Sequence, residues 1–229
     1  MKPTRFWYLA LLSCLLYLII SEIDMEWGFY IKPLYGMFFY LFYYYAVKKH
    51  SIVLLIFQIT SIIAEVFFVL DLNMYFDEVL YFYFIATSMM LFLFVPILKI
   101  KSREVTREMT LEPLLGVLFC AYLIGHMLTL FYDSVPNKLL LIIGAVFLFA
   151  FTAVCSLIPL RSGHPSNIKA YIIAGTLVIE CVTGFIYYYM LEIPIMFSVL
   201  TISICFHKAA VTSYFVDVTK ILKDQEEYI

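Results

Sequence analysis

Residues 52–70 read IVLLIFQITSIIAEVFFVL, and the length and apolar character of this run decide the fold class. It holds a single charged residue, Glu65. At about 1.5 Å of rise per residue, a helix of this length matches a hydrocarbon core about 30 Å thick. Runs of the same kind recur at 4–20, 29–46, 79–98, 113–132, 138–160, 170–191 and 195–216, which predicts eight membrane-spanning helices. The composition agrees: of 229 residues 64% are hydrophobic, 19% aromatic and 14% charged, with a mean hydropathy of +0.97. Such a chain cannot clothe a water-soluble domain, whereas in lipid its backbone is satisfied inside helices and its outside is apolar. No ten-residue alternation points to a barrel.

Charge orders the spans. With the N-terminus assigned to the cytoplasm, twelve of the fifteen basic residues fall in inner segments, among them Lys48, Lys49, Arg161 and Lys169, and only Lys138 falls outside. The outer turns instead carry Glu22, Asp24, Glu26, Asp71, Asp77, Glu78, Asp133 and Glu192. This is the positive-inside pattern of eight spans with both termini cytoplasmic. The expected layout is one transmembrane domain over 1–216 and a short cytoplasmic tail over 217–229. Lys2 and Arg5 precede the first apolar run, which ends without a small-x-small cleavage pattern and reads as an uncleaved span. The net charge of −2 and the lack of a basic patch give no footprint for nucleic acid. Cys14, Cys120, Cys155, Cys181 and Cys205 fall singly in different spans, so neither a disulfide framework nor a metal site is predicted.

Several ionisable side chains nevertheless lie inside spans: Lys32, Glu65, His126, Glu180, His207 and Lys208. Carboxylates in such positions are rare and mark function more often than not. Polar neighbours accompany them at helical spacing: Gln58, Ser61 and Glu65; Tyr122, His126 and Thr129; Thr176, Glu180 and Thr183. Each set falls on one helix face, and each face is expected to point into the bundle, where the three would share a polar cavity. The segment TSIIAEV around Glu65 is similar in pattern to GTLVIEC around Glu180, as a parallel duplication of two four-helix units would leave it. Plainer readings stand beside these. Lys32, near the outer end of its span, can snorkel to headgroups, and so can Lys208. Gln58 and His207 can serve as helix-packing groups. Thr and Ser bond mostly to their own backbone, and the tyrosine patches at span ends fit an interfacial belt.

Eight short spans, Lys32-Pro33-Leu34 at the head of the second, Glu65 in IIAEV and Glu180 in VIECV together resemble the YhhN family, which includes the mammalian transmembrane lysoplasmalogenases. In that family the two acids are aspartates in Gly-Asp and Ser-Asp settings, whereas here they are Ala-Glu and Ile-Glu. The resemblance implies hydrolysis of the vinyl ether bond of a lysoplasmalogen-type lysophospholipid, with Glu65 and Glu180 as the acid and the electrostatic or base partner. It further implies His126 as a proton relay, and Lys32, with Gln58 and His207, on the substrate side. Pro33 would start the second helix and set Lys32 at the outer mouth. No cofactor or metal is implied, the partners are the lysophospholipid and membrane lipids, and the expected location is a bacterial inner (plasma) membrane. Two other classes fit the same residues. A proton-coupled transporter of small molecules or lipids also uses intramembrane acids and histidines, and a lipid-binding sensor needs only the bundle.

Overall fold

The computed structural model describes residues 2–23, 25–99, 107–161 and 166–226. Eight α-helices account for almost all of them: α1 Pro3–Ile23, α2 Met25–Val47, α3 Ile52–Asp71, α4 Phe76–Phe94, α5 Arg107–Phe131, α6 Lys138–Arg161, α7 Ile168–Tyr189 and α8 Pro194–Glu226. Among the described residues there is no strand. Seven of the helices are long and apolar enough to cross a membrane, the make-up of a multi-pass membrane protein. The exception is α2, whose 23 residues include Lys32 and a run of tyrosines that lowers its hydropathy.

Local chemistry sets the ends. Ser51 caps α3, its hydroxyl accepting from the Leu54 N–H at 3.2 Å, and Asn137 does the same for α6 through the Leu140 N–H. Helix α2 closes on Lys48, whose φ of 57° is the left-handed conformation common just past helix C-termini. Helix α4 tightens into a 3-10 turn over Val95–Lys99. Pro96 cannot donate the hydrogen bond that an α-helix would ask of it there. Three expected boundaries move, the first being α5, which begins at Arg107 rather than 113. Helix α8 continues through residues 217–226 instead of ending at 216. Helix α2 begins at Met25 rather than near 29, so Pro33 lies in the helix interior and does not start it.

The helices pack as consecutive pairs, α1 on α2, α3 on α4, α5 on α6 and α7 on α8. Further contacts join α2 to α3 and α6 to α7, and the two halves meet where α2 touches α8 and α4 touches α6. At one end, Tyr188 donates to Asp71 Oδ1 at 2.6 Å, Asn137 donates to Asp77 at 3.1 Å, and the Ser198 hydroxyl donates to Glu22. These bonds tie the α3–α4, α5–α6, α7–α8 and α1–α2 turns together. At the opposite end, Lys169 at the start of α7 pairs with Asp217 on α8 at 2.6 Å, and the Tyr43 and Thr219 hydroxyls of α2 and α8 lie 3.4 Å apart. Between the two ends runs a buried apolar core centred on Leu54, Phe57, Phe151, Ile173, Val211 and Tyr214.

Candidate functional site

The charged residues of three helices converge at one point. Helix α3 offers Glu65 from the same face as Gln58 and Ser61, as their spacing predicts. Helix α2 approaches closely beside it at Gly36, where a Cβ would stand 2.4 Å from the tip of Ile62. That contact brings Lys32, one turn before Gly36, and Tyr35, the residue next to Gly36, onto Glu65. Helix α8 adds Lys208. The Glu65 carboxylate, 7% exposed, has Lys208 Nζ 2.8 Å from Oε1 and Lys32 Nζ 3.7 Å from Oε2, and the Tyr35 hydroxyl donates to Oε2. Each ammonium has a second acceptor: Ser61 Oγ at 2.7 Å for Lys208 and the Glu65 main-chain carbonyl at 3.2 Å for Lys32. Each also stands over a tyrosine ring, Lys32 5.1 Å from the centre of Tyr17 and Lys208 5.2 Å from that of Tyr35.

Two expectations about these lysines are corrected. Neither snorkels: both side chains are buried. Lys32 is seven residues inside α2, about 10 Å along its axis, so it lies within the bundle rather than at an outer mouth. The physical reason is Glu65, since two intramembrane charges of opposite sign lower each other's desolvation cost by meeting. Lys208, which sequence reasoning left out of the site, is the nearer partner of the two. The signal for it was present: an acid and a lysine, each unaccounted for, inside two different spans. Tyr35 was missed altogether, hidden in an aromatic run although it lies three residues after Lys32 on the same helix face.

The cluster forms part of the wall of a cavity of about 150 Å³ to which all eight helices contribute. Most of the lining is apolar, including Phe57, Phe68, Phe76, Met90, Met127 and Phe185. Its ionisable lining consists of Lys32, Glu65 and Lys208 on one side, with Glu180 and His207, and Tyr17, Tyr83 and Cys181 nearby. Glu180, half-buried on α7, is unlike Glu65: among the described residues no hydrogen bond or ion pair engages its carboxyl. His207 is buried, with Nδ1 3.2 Å from the Ile173 carbonyl and 3.2 Å from Thr176 Oγ1.

The other expected site residues lie elsewhere. Gln58 is buried in the seam between α3 and α8, where its amide donates to Thr212 Oγ1 at 3.3 Å, and it does not line the cavity. The α5 stripe does not face the bundle: Tyr122, His126 and Thr129 are all exposed on the outer surface, and the rings of Tyr122 and His126 stack 6.0 Å apart. Helix α5 packs chiefly on α6, so most of its circumference is left to the surroundings. Its apolar residues Leu123, Ile124 and Met127 turn inward instead. Among the described residues no group of three His, Cys, Asp or Glu side chains is arranged to hold a metal ion.

No protein-family model, curated protein or solved structure matches the chain.

Proposed function

We propose that this protein is a divergent member of the YhhN family and hydrolyses the vinyl ether bond of a lysoplasmalogen-type lysophospholipid within a bacterial inner membrane. The observation that carries the reading is the unequal treatment of two acids on one apolar cavity. Glu65 is held by two lysines and a tyrosine, while Glu180 lines the same cavity with its carboxyl in no ion pair or hydrogen bond among the described residues. Vinyl ether hydrolysis begins with delivery of a proton to carbon and passes through an oxocarbenium ion that water captures. Glu180 is the donor, because its carboxyl is not committed elsewhere. Once it has given up the proton, its carboxylate is the anion beside the oxocarbenium.

Glu65 takes a different part from the one its charge alone would suggest. One carboxylate between two ammonium groups leaves an excess of positive charge. Such a cluster is a poor neighbour for an oxocarbenium and a good one for a phosphate. Glu65 therefore positions Lys32 and Lys208, which receive the phosphate of the lysophospholipid, while the aliphatic chain lies along the aromatic and methionine lining.

The same reading takes all eight helices as spans, with both termini cytoplasmic. The shortfall of α2 in hydropathy comes largely from tyrosines and from a lysine already paired inside the bundle. A duplication of four-helix units is supported by the packing, since α2 on α8 and α6 on α4 are the same contact when the halves are exchanged. The direct test is fatty aldehyde release by the purified protein in liposomes, from lysoplasmalogen and from an ester lysophospholipid as control. Release from the vinyl ether alone is expected. No release from folded protein across a broad pH range would overturn the assignment.

A further inference from the structure

His207 is a buried imidazole that the scheme above does not use. Its Nδ1 is 3.2 Å from the Ile173 carbonyl, which can only accept, so Nδ1 carries the hydrogen. The second contact agrees: Thr176 Oγ1 spends its own hydrogen on the Ile172 carbonyl at 2.7 Å and turns a lone pair to the ring. With the tautomer fixed, Nε2 holds the free lone pair. That nitrogen is buried, has no partner among the described residues, and belongs to a side chain lining the cavity. Leaving such an acceptor unsatisfied out of water is unfavourable, so a donor from a ligand or a water is the natural occupant.

Its position relative to the acids is equally specific. Thr176 and Glu180 are one turn apart on the same face of α7, about 5–6 Å between Cβ atoms, so His207 sits one turn from Glu180. The next residue, Lys208, is rotated by about 100° and reaches α3 instead. Helix α8 thus sets His207 against α7, one turn from Glu180, and sends Lys208 to the acid on α3.

We infer that His207 is the general base that takes a proton from the water capturing the oxocarbenium ion. This rests on the vinyl ether reading. The steps balance. Glu180 gives its proton to the outer vinyl carbon, forming a C–H bond and the oxocarbenium. Water oxygen bonds to the cationic carbon as one of its protons passes to Nε2, giving a hemiacetal. The hemiacetal hydroxyl then returns its proton to the Glu180 carboxylate, the carbon–oxygen bond to glycerol breaks, and the leaving oxygen takes the proton from His207. Fatty aldehyde and a glycerophospho-base are released with both side chains restored.

The assay follows aldehyde release in liposomes made in D2O and deuterium at the outer vinyl carbon of unreacted lysoplasmalogen. Wild type, His207→Asn, Thr176→Val and Glu180→Gln are compared, each checked for an unchanged helical circular dichroism spectrum. A general base is worth about 100-fold or more, so His207→Asn is expected to lose that much aldehyde release while its recovered substrate gains deuterium. In that variant protonation by Glu180 continues and reverses before water arrives. Thr176→Val, which keeps the imidazole and loosens its tautomer, shows a smaller loss, and Glu180→Gln shows neither release nor deuterium. Two results would overturn the inference while leaving the hydrolase reading intact: full activity in His207→Asn, or loss of activity in it and in Thr176→Val without deuterium uptake. Absence of aldehyde from the wild type would overturn both.

Discussion

Replacing Glu65 by glutamine leaves two ammonium groups buried with no counter-charge. Breaking a buried ion pair from one side costs about 3–5 kcal/mol, so Glu65→Gln is expected to be strongly destabilised in detergent, as read by its thermal unfolding midpoint. The double change Glu65→Leu with Lys208→Met removes the closer pair together and should recover part of the loss. Equal stability of Glu65→Gln and wild type would contradict the network. Lys208→Met should be more damaging than Lys32→Met, because Lys208 is 2.8 Å from the carboxylate and Lys32 is 3.7 Å away. At this scale the sequence exposes which residues are out of place in lipid but not whom they meet. Glu65 and Glu180 look alike in an apolar run. Only the arrival of α2 and α8 beside α3 makes one a paired anion and leaves the other facing an apolar cavity.

Helices were legible as elements because apolar runs and short charged breaks mark them, and seven of eight predicted starts agree with the structure to within a few residues. The exception, α5, begins at Arg107 rather than 113. Rotation about the helix axis was legible only where two independent cues agreed. On α3 a polar stripe and a lone acid pointed the same way, and that face is buried. On α5 the helical spacing of Tyr122, His126 and Thr129 marks an exposed face, since periodicity defines a face without saying what lies opposite it. His126→Leu is therefore expected to leave activity and stability within about 0.5 kcal/mol of wild type, the usual range for surface changes. A large loss in either would return His126 to the site. At Gly36 a Cβ would stand 2.4 Å from the tip of the Ile62 side chain, so a long side chain there must displace it. Overpacking of this kind costs about 1–3 kcal/mol, so Gly36→Leu should lower the unfolding midpoint and weaken the contact between Lys32 and Glu65. A midpoint equal to that of wild type would contradict the close approach.

For the whole molecule, the charge bias of the loops and the pairing of helices bear on the same question, how many times the chain crosses the membrane. Reporter fusions at residues 50, 75, 135, 165 and 229 give a direct reading. With eight spans, 50, 165 and 229 are expected on the cytoplasmic side and 75 and 135 outside. If α2 lay on the surface instead of spanning, every junction after it would change sides relative to the N-terminus. The overall composition announced a membrane bundle, whereas the cavity was beyond reach of the sequence, because it is made by gaps between eight helices and not by any one of them. The two acids on that cavity do different work in the proposed reaction, and aldehyde release by Glu180→Gln, measured beside its unfolding midpoint, tests this. Glu180→Gln is expected to be about as stable as wild type and to release no aldehyde from lysoplasmalogen. Wild-type release from Glu180→Gln would contradict that division of work.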